Sequence, residues 1–549
     1  MALLRTLLRR TMPALAALAV AAQAPEVIEG RLRNGIRVLV VERPGSGMVR
    51  AGLFFRGGSA DLAGLPPVAA ALLARTVFSE LRPEDLGEQP VLEALLERAD
   101  HLREGLRLEA LRRGRSPGGG GPEEHQLSLQ ASLQQALEQI GRLSTPADQA
   151  DLLDQLGAVR RECTAEPDAL VAALDLPASA LGAWADLEAR RLRSLRMARL
   201  PRVRQELETS LATEDLAEGL LVESALPGLP YGRVLEPGRQ AGILRADLQA
   251  YGRSALSPAR LAIVLAGDVR AAEAQQTLEA TFGTLAGTEV GEHGDSSLDG
   301  SRRPGGRRVQ VRAAGPPQLR LGWKVPPITH PDHLPLEVLA QLLGRRSGGQ
   351  GLALAPFLGA SVRLGVPGGR LENLFVVAAQ PEEGHGLVAC EQEIQRTLLR
   401  LQQEVLPPEA FEGALRRLEL AALEAQADPA ALVRRLGRGW CQGGDWRIAF
   451  PDLRGLRREG PGAVARVART YLGADAATLV LVEPDLARDP GDAGQAELFH
   501  LLRSQALARL NDPVKAEALA LQSLQQLRML SQDQRNQVLQ VLKQAGKQP

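Results

Sequence analysis

Residues 31–45 read RLRNGIRVLVVERPG, and residues 48–61 continue with MVRAGLFFRGGSAD. The Asn34-Gly35 pair readily adopts positive φ, so it predicts a tight turn between two short strands. The second stretch contains the apolar run of a third strand. A helical pattern follows at 65–78, and much later comes the strand-like LAIVLAGDV at 261–269. This order of strands and helices predicts an α+β domain.

A similar order of elements returns in the second half of the chain. Two strand-like stretches, RRVQVRAA and LRLGWKV, lead into a helical pattern from His333 to Leu343. The strand-like LFVVAAQ, long helical patterns between Gly386 and Ala427, and the strand-like ATLVLVEPD complete the second set. We therefore predict an internal duplication that gives two tandem homologous α/β-sandwich domains.

The predicted domains occupy 25–288 and 308–487. A stretch rich in Gly, Ser, Asp and Arg at 289–307 is typical of the linker between them. The first domain is the longer one, and its excess maps to about 82–150, where two helical patterns flank a Ser-Pro-Gly-Gly-Gly-Gly loop. That pattern predicts a helical-hairpin insertion. Amphipathic segments rich in Leu and Gln at 488–549 predict a helical C-terminal tail.

The overall composition excludes some classes of partner. Lys plus Arg number 65 and Asp plus Glu also number 65, so the net charge is zero. Binding to a nucleic-acid backbone needs a basic surplus, so we expect no nucleic-acid partner. The three cysteines, Cys163, Cys390 and Cys441, lie far apart and form no Cys-x-x-Cys pair. We predict three buried structural thiols, with one disulfide as the alternative.

The N-terminus has the form of a secretory signal peptide. Arg5, Arg9 and Arg10 precede an apolar run that ends in Ala22-Gln23-Ala24. The run is shorter than the ~18–20 residues that span a bilayer, so we expect cleavage after Ala24 and no permanent membrane span. The predicted location is exported, periplasmic or secreted. A mitochondrial presequence and a twin-arginine export signal are the alternatives.

Three stretches of the first domain resemble, in order, the insulinase/pitrilysin family of inverted-motif zinc metallopeptidases. The opening strands are similar to that family's first strands, and LAIVLAGDV is similar to its closing strand. LPYGRVLEPG, with Tyr231 and Gly232, resembles the family's His-Pro-Tyr-Gly loop, although Leu229 replaces the His. The resemblance covers 25–487 and is nearest to the bacterial type with an insertion after the active-site helix. It implies two metallopeptidase-like domains.

The resemblance also implies a zinc site, and this sequence lacks its ligands. The family binds zinc through a His-x-x-Glu-His helix and a distant Glu, because two His four residues apart share one helical face. In GLPPVAAALLARTVF, Pro67 and Ala71 stand at the two His positions and Ala70 at the Glu position. Glu188 matches the distant ligand. We interpret it as an orphaned helix-surface residue beside Arg191, and expect no zinc and no catalytic residue.

Other chemistries are not indicated by the sequence. No two of the seven histidines lie at i, i+4 spacing beside a Glu, and His330 and His333 fall in the turn-like THPDH. No Gly-x-Ser-x-Gly elbow or Walker lysine is present. The resemblance implies a substrate-holding Arg and Tyr in the second domain, but SGGQGLALAPF at 347–357 contains neither.

These observations favour a protein that is not an enzyme. We expect a partner subunit of an active zinc peptidase, as in a heterodimer of the family, or a peptide-binding or assembly subunit. One alternative is a structural scaffold with no peptide role. The other is an active zinc metalloendopeptidase with substitute ligands.

Overall fold

The computed structural model describes most of both predicted domains. The described residues are 25–62, 64–79, 89–115, 123–143, 152–211, 215–232, 242–287, 306–313, 315–344, 360–381, 386–404 and 406–484, with four isolated positions between 502 and 523. The predicted signal peptide, nearly all of the linker and nearly all of the C-terminal tail lie outside them.

The elements alternate between short strands and helices along the chain. The strands are β1 (Ile28–Arg31), β2 (Arg37–Glu42), β3 (Met48–Arg56), β4 (Val159–Ala165), β5 (Ala169–Pro177), β6 (Leu261–Gly267), β7 (Arg307–Ala313), β8 (Gln318–Val325), β9 (Ser361–Val366), β10 (Asn373–Ala379) and β11 (Thr478–Pro484). The helices are α1 (Val68–Phe78), α2 (Gln89–Arg115), α3 (Glu123–Leu143), α4 (Leu181–Arg193), α5 (Leu200–Leu211), α6 (Leu216–Ala225), α7 (Arg245–Ala255), α8 (Ala271–Thr281), α9 (His333–Leu343), α10 (Leu387–Gln403), α11 (Pro408–Ala427), α12 (Pro429–Gly443), α13 (Leu453–Glu459) and α14 (Pro461–Tyr471).

The chain forms two compact units, and each takes one segment from the other half of the sequence. Unit 1 comprises Met1–Glu214, Arg233–Leu298 and Glu419–Pro451, and unit 2 comprises Asp215–Gly232, Asp299–Leu418 and Asp452–Pro549. The predicted domains followed chain order. The structure differs because α6 packs in unit 2 and α12 packs in unit 1.

Unit 1 is built on a six-stranded sheet in the order β1-β2-β6-β3-β5-β4. The predicted hairpin at Asn34-Gly35 is confirmed, since β1 and β2 are antiparallel and Gly35 has a φ of 92°. β2 pairs with β6 in parallel, and the remaining neighbours are antiparallel. On one face of the sheet, α1, α4, α7 and α8 contribute to a large apolar core that includes Leu53, Leu72 and Trp184.

Helix α12 covers the opposite face of the unit 1 sheet. Leu436 and Trp440 of α12 pack with Phe54 and Val264 in a second buried cluster. The approach is close because Gly437 faces Phe54, where an added Cβ would lie 2.3 Å from the ring. Unit 1 therefore has helices on both faces of its sheet, as α/β sandwiches do.

Unit 2 repeats this topology with five strands. Its order is β7-β11-β8-β10-β9, with β7 and β11 parallel, which matches the order β2-β6-β3-β5-β4 of unit 1. Helices α9, α10 and α14 contribute to the core on one face. Helix α6 covers the other face, and Leu221 lies against Gly322 of β8. Both sheets therefore have the mixed strand order and two covered faces of one α+β fold.

Helix α6, which unit 2 takes from the first half of the sequence, is held by an ion pair as well as by packing. Asp215 caps α6 by accepting hydrogen bonds from the backbone N–H groups of Ala217 and Glu218. The same carboxylate forms a 2.7 Å ion pair with Arg320 of β8. Burial alone would raise the pKa of Asp215, but the hydrogen bond and charge of Arg320 outweigh it and hold the pKa below its usual value.

The insertion in the first domain is a helical hairpin, as predicted. Helices α2 and α3 pack along each other, and Leu96 and Ile140 belong to their shared apolar cluster. Arg245 of α7 anchors α2 through ion pairs with Glu93 at 2.8 Å and Asp100 at 2.7 Å. Among the described residues, no helix combines the length and hydrophobicity that crossing a membrane requires.

Candidate functional site

The N-terminal end of α1 carries the three positions where the resemblance places metal chemistry. The helix begins at Val68, three residues later than the pattern predicted, because Pro66 and Pro67 occupy the residues before it. Pro67 and Ala70 are buried and Ala71 is half-buried. These three side chains contain only carbon and hydrogen, so this face of α1 can neither coordinate a metal nor move a proton.

Glu188 lies on α4 and is buried, so its interpretation as a surface residue was wrong. Its Oε1 lies 2.7 Å from Nη1 of Arg191 in an ion pair. The side chain of Glu188 is only 5% exposed and that of Arg191 only 3%. The second oxygen, Oε2, is buried with no hydrogen-bond partner in the structure. Burial raises the pKa of the Glu188 carboxyl, and the charge and hydrogen bond of Arg191 offset part of that rise.

Two more groups interact electrostatically in this region, a thiol and an arginine. Cys163 on β4 is acted on electrostatically by Arg75 of α1 and by both members of the pair. Burial of this thiol raises its pKa to about 12, so it stays protonated at neutral pH, although the residue as a whole is partly exposed. Arg75 lies one turn after Ala71, on the same face of α1.

The residues present do not fit a zinc ion. Zinc needs three or four imidazole, thiolate or carboxylate donors in tetrahedral arrangement. This part of unit 1 offers the ion-paired carboxylates of Glu188 and Glu162, one protonated thiol and two guanidinium cations. Across the described residues, no group of three His, Cys, Asp or Glu side chains is arranged to hold a metal.

Tyr231 and Gly232, the loop that the resemblance marked, lie in unit 2 and have a packing role there. Tyr231 is buried, and its hydroxyl accepts hydrogen bonds from the backbone N–H of Arg370 at 3.0 Å and of Leu371 at 3.2 Å. A Cβ on Gly232 would lie 2.0 Å from the carbonyl oxygen of Leu226, so only glycine fits. The loop therefore positions the segment before β10.

We expect Tyr231→Phe to lower the free energy of unfolding by about 1–3 kcal/mol, because two backbone donors lose the phenolic oxygen. Chemical denaturation checks this value. Hydrogen exchange at Arg370 and Leu371 should accelerate in the variant. The half-buried Tyr251, which donates a hydrogen bond to the Gly58 carbonyl, gives the control Tyr251→Phe. Unchanged exchange at Arg370 and Leu371 would refute the positioning role.

The histidines of THPDH form a turn at the start of α9 and not a metal site. The backbone N–H of Asp332 donates to Nδ1 of His330, and the Asp332 carboxylate pairs with Arg466 at 2.7 Å and accepts from the Tyr471 hydroxyl. Burial lowers the pKa of His333 to about 4, and its Nδ1 has no hydrogen-bond partner in the structure. His333 is therefore neutral in the folded protein at physiological pH.

This burial makes stability depend on pH. The folded-state pKa of His333 lies below the unfolded value of 6.5, so only the unfolded chain takes up the proton as pH falls from 6.5 toward 4. At pH 5 this costs up to about 2 kcal/mol of stability, and above pH 7 it costs nothing. In His333→Leu, the loss of thermal stability between pH 7 and pH 5 should shrink. Equal losses in both proteins would exclude His333 as the cause.

The thiol predictions are largely confirmed. None of the three cysteines forms a disulfide, and Cys390 and Cys441 are buried, while Cys163 is only partly buried. The substrate-holding stretch at 347–357 lies outside the described residues.

The two open sheets covered by helices define a metallopeptidase-like fold. Apolar residues occupy the positions where the resemblance places the metal ligands, and the described residues contain no metal centre. Residues 243–418 match the sequence model of the peptidase M16 inactive domain. This match covers one segment of the chain and agrees with the resemblance of the sequence to the insulinase/pitrilysin family. No curated protein matches the sequence.

Solved structures share the fold at low sequence identity. A protease from Helicobacter pylori is 15% identical with a TM-score of 0.64, and the match covers 84% of this chain and 100% of that one. A peptidase M16 inactive domain from Pseudomonas fluorescens is 15% identical with a TM-score of 0.61, covering 85% and 99%. A chain of Complex III2 from Candida albicans is 12% identical with a TM-score of 0.58, covering 84% and 97%. At these identities the likeness concerns the fold.

Proposed function

We propose that this chain is a non-catalytic member of the insulinase/pitrilysin family that acts as the partner subunit of an active zinc peptidase, in an assembly or peptide-binding role. The proposal rests on the residues that occupy the positions where the family binds zinc. Pro67, Ala70 and Ala71 provide no donor there, and the remaining carboxylate of Glu188 is ion-paired inside the protein. The fold is nevertheless intact around it, with both sheets covered on both faces.

A protein whose role is to assemble with a partner needs its fold but not the residues that bind zinc and catalyse hydrolysis. An intact fold without those residues is therefore expected. The chain of Complex III2 from Candida albicans is an example of this fold inside a multi-chain assembly. In such an assembly, a family member that holds no metal contributes a contact surface and helps to enclose the peptide, while a partner supplies the metal. A structural scaffold without any peptide role is the competing function.

The test searches the genome for a His-x-x-Glu-His relative encoded beside this chain and pairs its product with the full chain. Co-purification of the two, together with a gain in peptide hydrolysis on mixing, supports the proposal. The matched control replaces the Glu of the relative's motif by Gln, which should abolish the activity of the mixture. A mixture no more active than the relative alone, with no complex formed, contradicts the partner role. A stable complex with a protein unrelated to peptidases favours the scaffold.

We also propose that the chain is exported to the periplasm or secreted, with the mitochondrion as the alternative. The support is the arrangement of Arg5, Arg9 and Arg10 before an apolar run and the Ala22-Gln23-Ala24 cleavage pattern. N-terminal sequencing of the chain from its native cells should then begin at Pro25. A chain that retains residues 1–24 in the cytoplasm contradicts export.

A further inference from the structure

We propose that the Arg191 guanidinium serves as the permanent counter-charge of Glu188 in place of a metal, so that the buried pair itself keeps divalent cations out of this part of unit 1. The absence of metal ligands on α1 is one barrier to zinc. The pair on α4 is a second and separate one. This inference concerns the residues of this chain alone and does not depend on the partner role.

Glu188 and Arg191 form a short ion pair in a buried setting. Arg191 Nη1 lies 2.7 Å from Glu188 Oε1, and both side chains are almost fully enclosed. The two residues are three positions apart on one helix, so a single turn of α4 presents both charges on the same face. A carboxylate this deep needs a compensating charge, and arginine supplies one that cannot be deprotonated in a protein.

The second oxygen of Glu188 does not offer an alternative place for a cation. Oε2 is buried with no partner in the structure, so a metal on this carboxylate would have to sit there, within a few ångströms of the guanidinium. Like charges at that distance repel strongly where water is excluded. Arg75 of α1 and Glu162 of β4 act on the neighbouring Cys163 with opposite charges. The repulsion that disfavours a divalent cation at Glu188 therefore comes from Arg191.

Restoring the ligands while varying Arg191 tests the proposal. The starting protein is the full chain with Pro67→His, Ala70→Glu and Ala71→His, compared with the same chain that also carries Arg191→Leu. Zinc affinity is measured by competition with a chelating dye, and stoichiometry by elemental analysis. We expect removal of Arg191 to tighten zinc binding at least about 100-fold, because the repelling charge is gone.

A neighbouring arginine supplies the matched control. Arg190 is adjacent in sequence but more exposed, and it pairs with Asp186 at 2.9 Å. Arg190→Leu in the three-residue variant should leave zinc affinity unchanged. The proposal is overturned if Arg191→Leu has no greater effect than Arg190→Leu. It is overturned as well if the variants with and without Arg191 bind zinc equally or both fail to bind it.

A double-mutant cycle tests the same pair without altering α1. Arg191→Leu alone should lower the melting temperature by about 10 °C, because Glu188 loses the only hydrogen-bond partner that the structure shows for it. Glu188→Leu combined with Arg191→Leu should recover most of this loss, since no buried carboxylate remains. The same cycle at Asp186 and Arg190 should give nearly additive, small shifts. Additive effects at Glu188 and Arg191 would show that the two charges are not a unit.

Discussion

The Gly437→Val variant is expected to lose about 3 kcal/mol or more of its free energy of unfolding. A Cβ at this position of α12 would lie 2.3 Å from the Phe54 ring, and Phe54 is fully buried in β3, so neither side can yield easily. The overlap should lift α12 from the sheet and expose Trp440, which packs in the same cluster. Chemical denaturation followed by tryptophan fluorescence measures both effects.

The control is the same substitution at a glycine with open space. Gly455 in α13 has no atom within 4 Å of where its Cβ would be. Valine and glycine differ by less than about 1 kcal/mol in helix propensity, so Gly455→Val should be nearly neutral. A Gly437→Val protein as stable as Gly455→Val would mean that α12 does not pack closely on the unit 1 sheet.

The second large effect is expected at Arg50, a buried arginine of β3. Its guanidinium lies 3.0 Å from Glu162 and 3.3 Å from Asp175, and it donates a 2.7 Å hydrogen bond to the carbonyl of Arg160. Arg434 of α12 pairs with the same Glu162 at 2.6 Å. Arg50→Met removes the buried cation between two partly buried carboxylates, which keep only the more exposed Arg434 and Arg160 as partners. We expect a loss of about 3 kcal/mol in the free energy of unfolding.

An exposed ion pair calibrates that value. Arg202 and Glu206 pair at 2.8 Å on α5, and each side chain is about half exposed. Arg202→Met should cost less than about 1 kcal/mol. If Arg50→Met costs no more than Arg202→Met, the buried network contributes little to stability, and α12 is held mainly by its apolar face.

The sequence predicted β1, β2, β3, β6, β7, β8, β10 and β11, and most of these strands contain a run of apolar side chains. β2, β3, β6 and β11 were anticipated because both faces of each sheet are covered, which gives continuous apolar runs. The edge strands β4 and β9 were missed, since VRRECTA and SVRLGV carry charges that an edge strand can leave in solvent. β5 was also missed.

The exchange of α6 and α12 could not be predicted from local patterns. An amphipathic helix shows that it has an apolar face, but the pattern does not say which sheet receives that face. The contacts that decide it, such as Gly437 against Phe54, join residues hundreds of positions apart.

At the candidate site, the sequence identified which residues stand at the family's ligand positions, but it did not predict how deeply they are buried or what they contact. Pro67, Ala70 and Ala71 were identified from the motif, and the structure places them at the start of α1. The burial of Glu188 was missed, because a Glu in a run of charged residues such as DLEARR is typical of a solvated face. The spacing of Glu188 and Arg191, three residues apart, was the one sequence signal of their pairing.

The metal content of the purified full chain tests the central claim most directly. The chain is saturated with zinc, dialysed, and measured by elemental analysis alongside a peptide-hydrolysis assay. We expect zinc far below one ion per chain and no hydrolysis above buffer. One tightly bound zinc per chain, with hydrolysis that a chelator abolishes and added zinc restores, would contradict a non-catalytic protein.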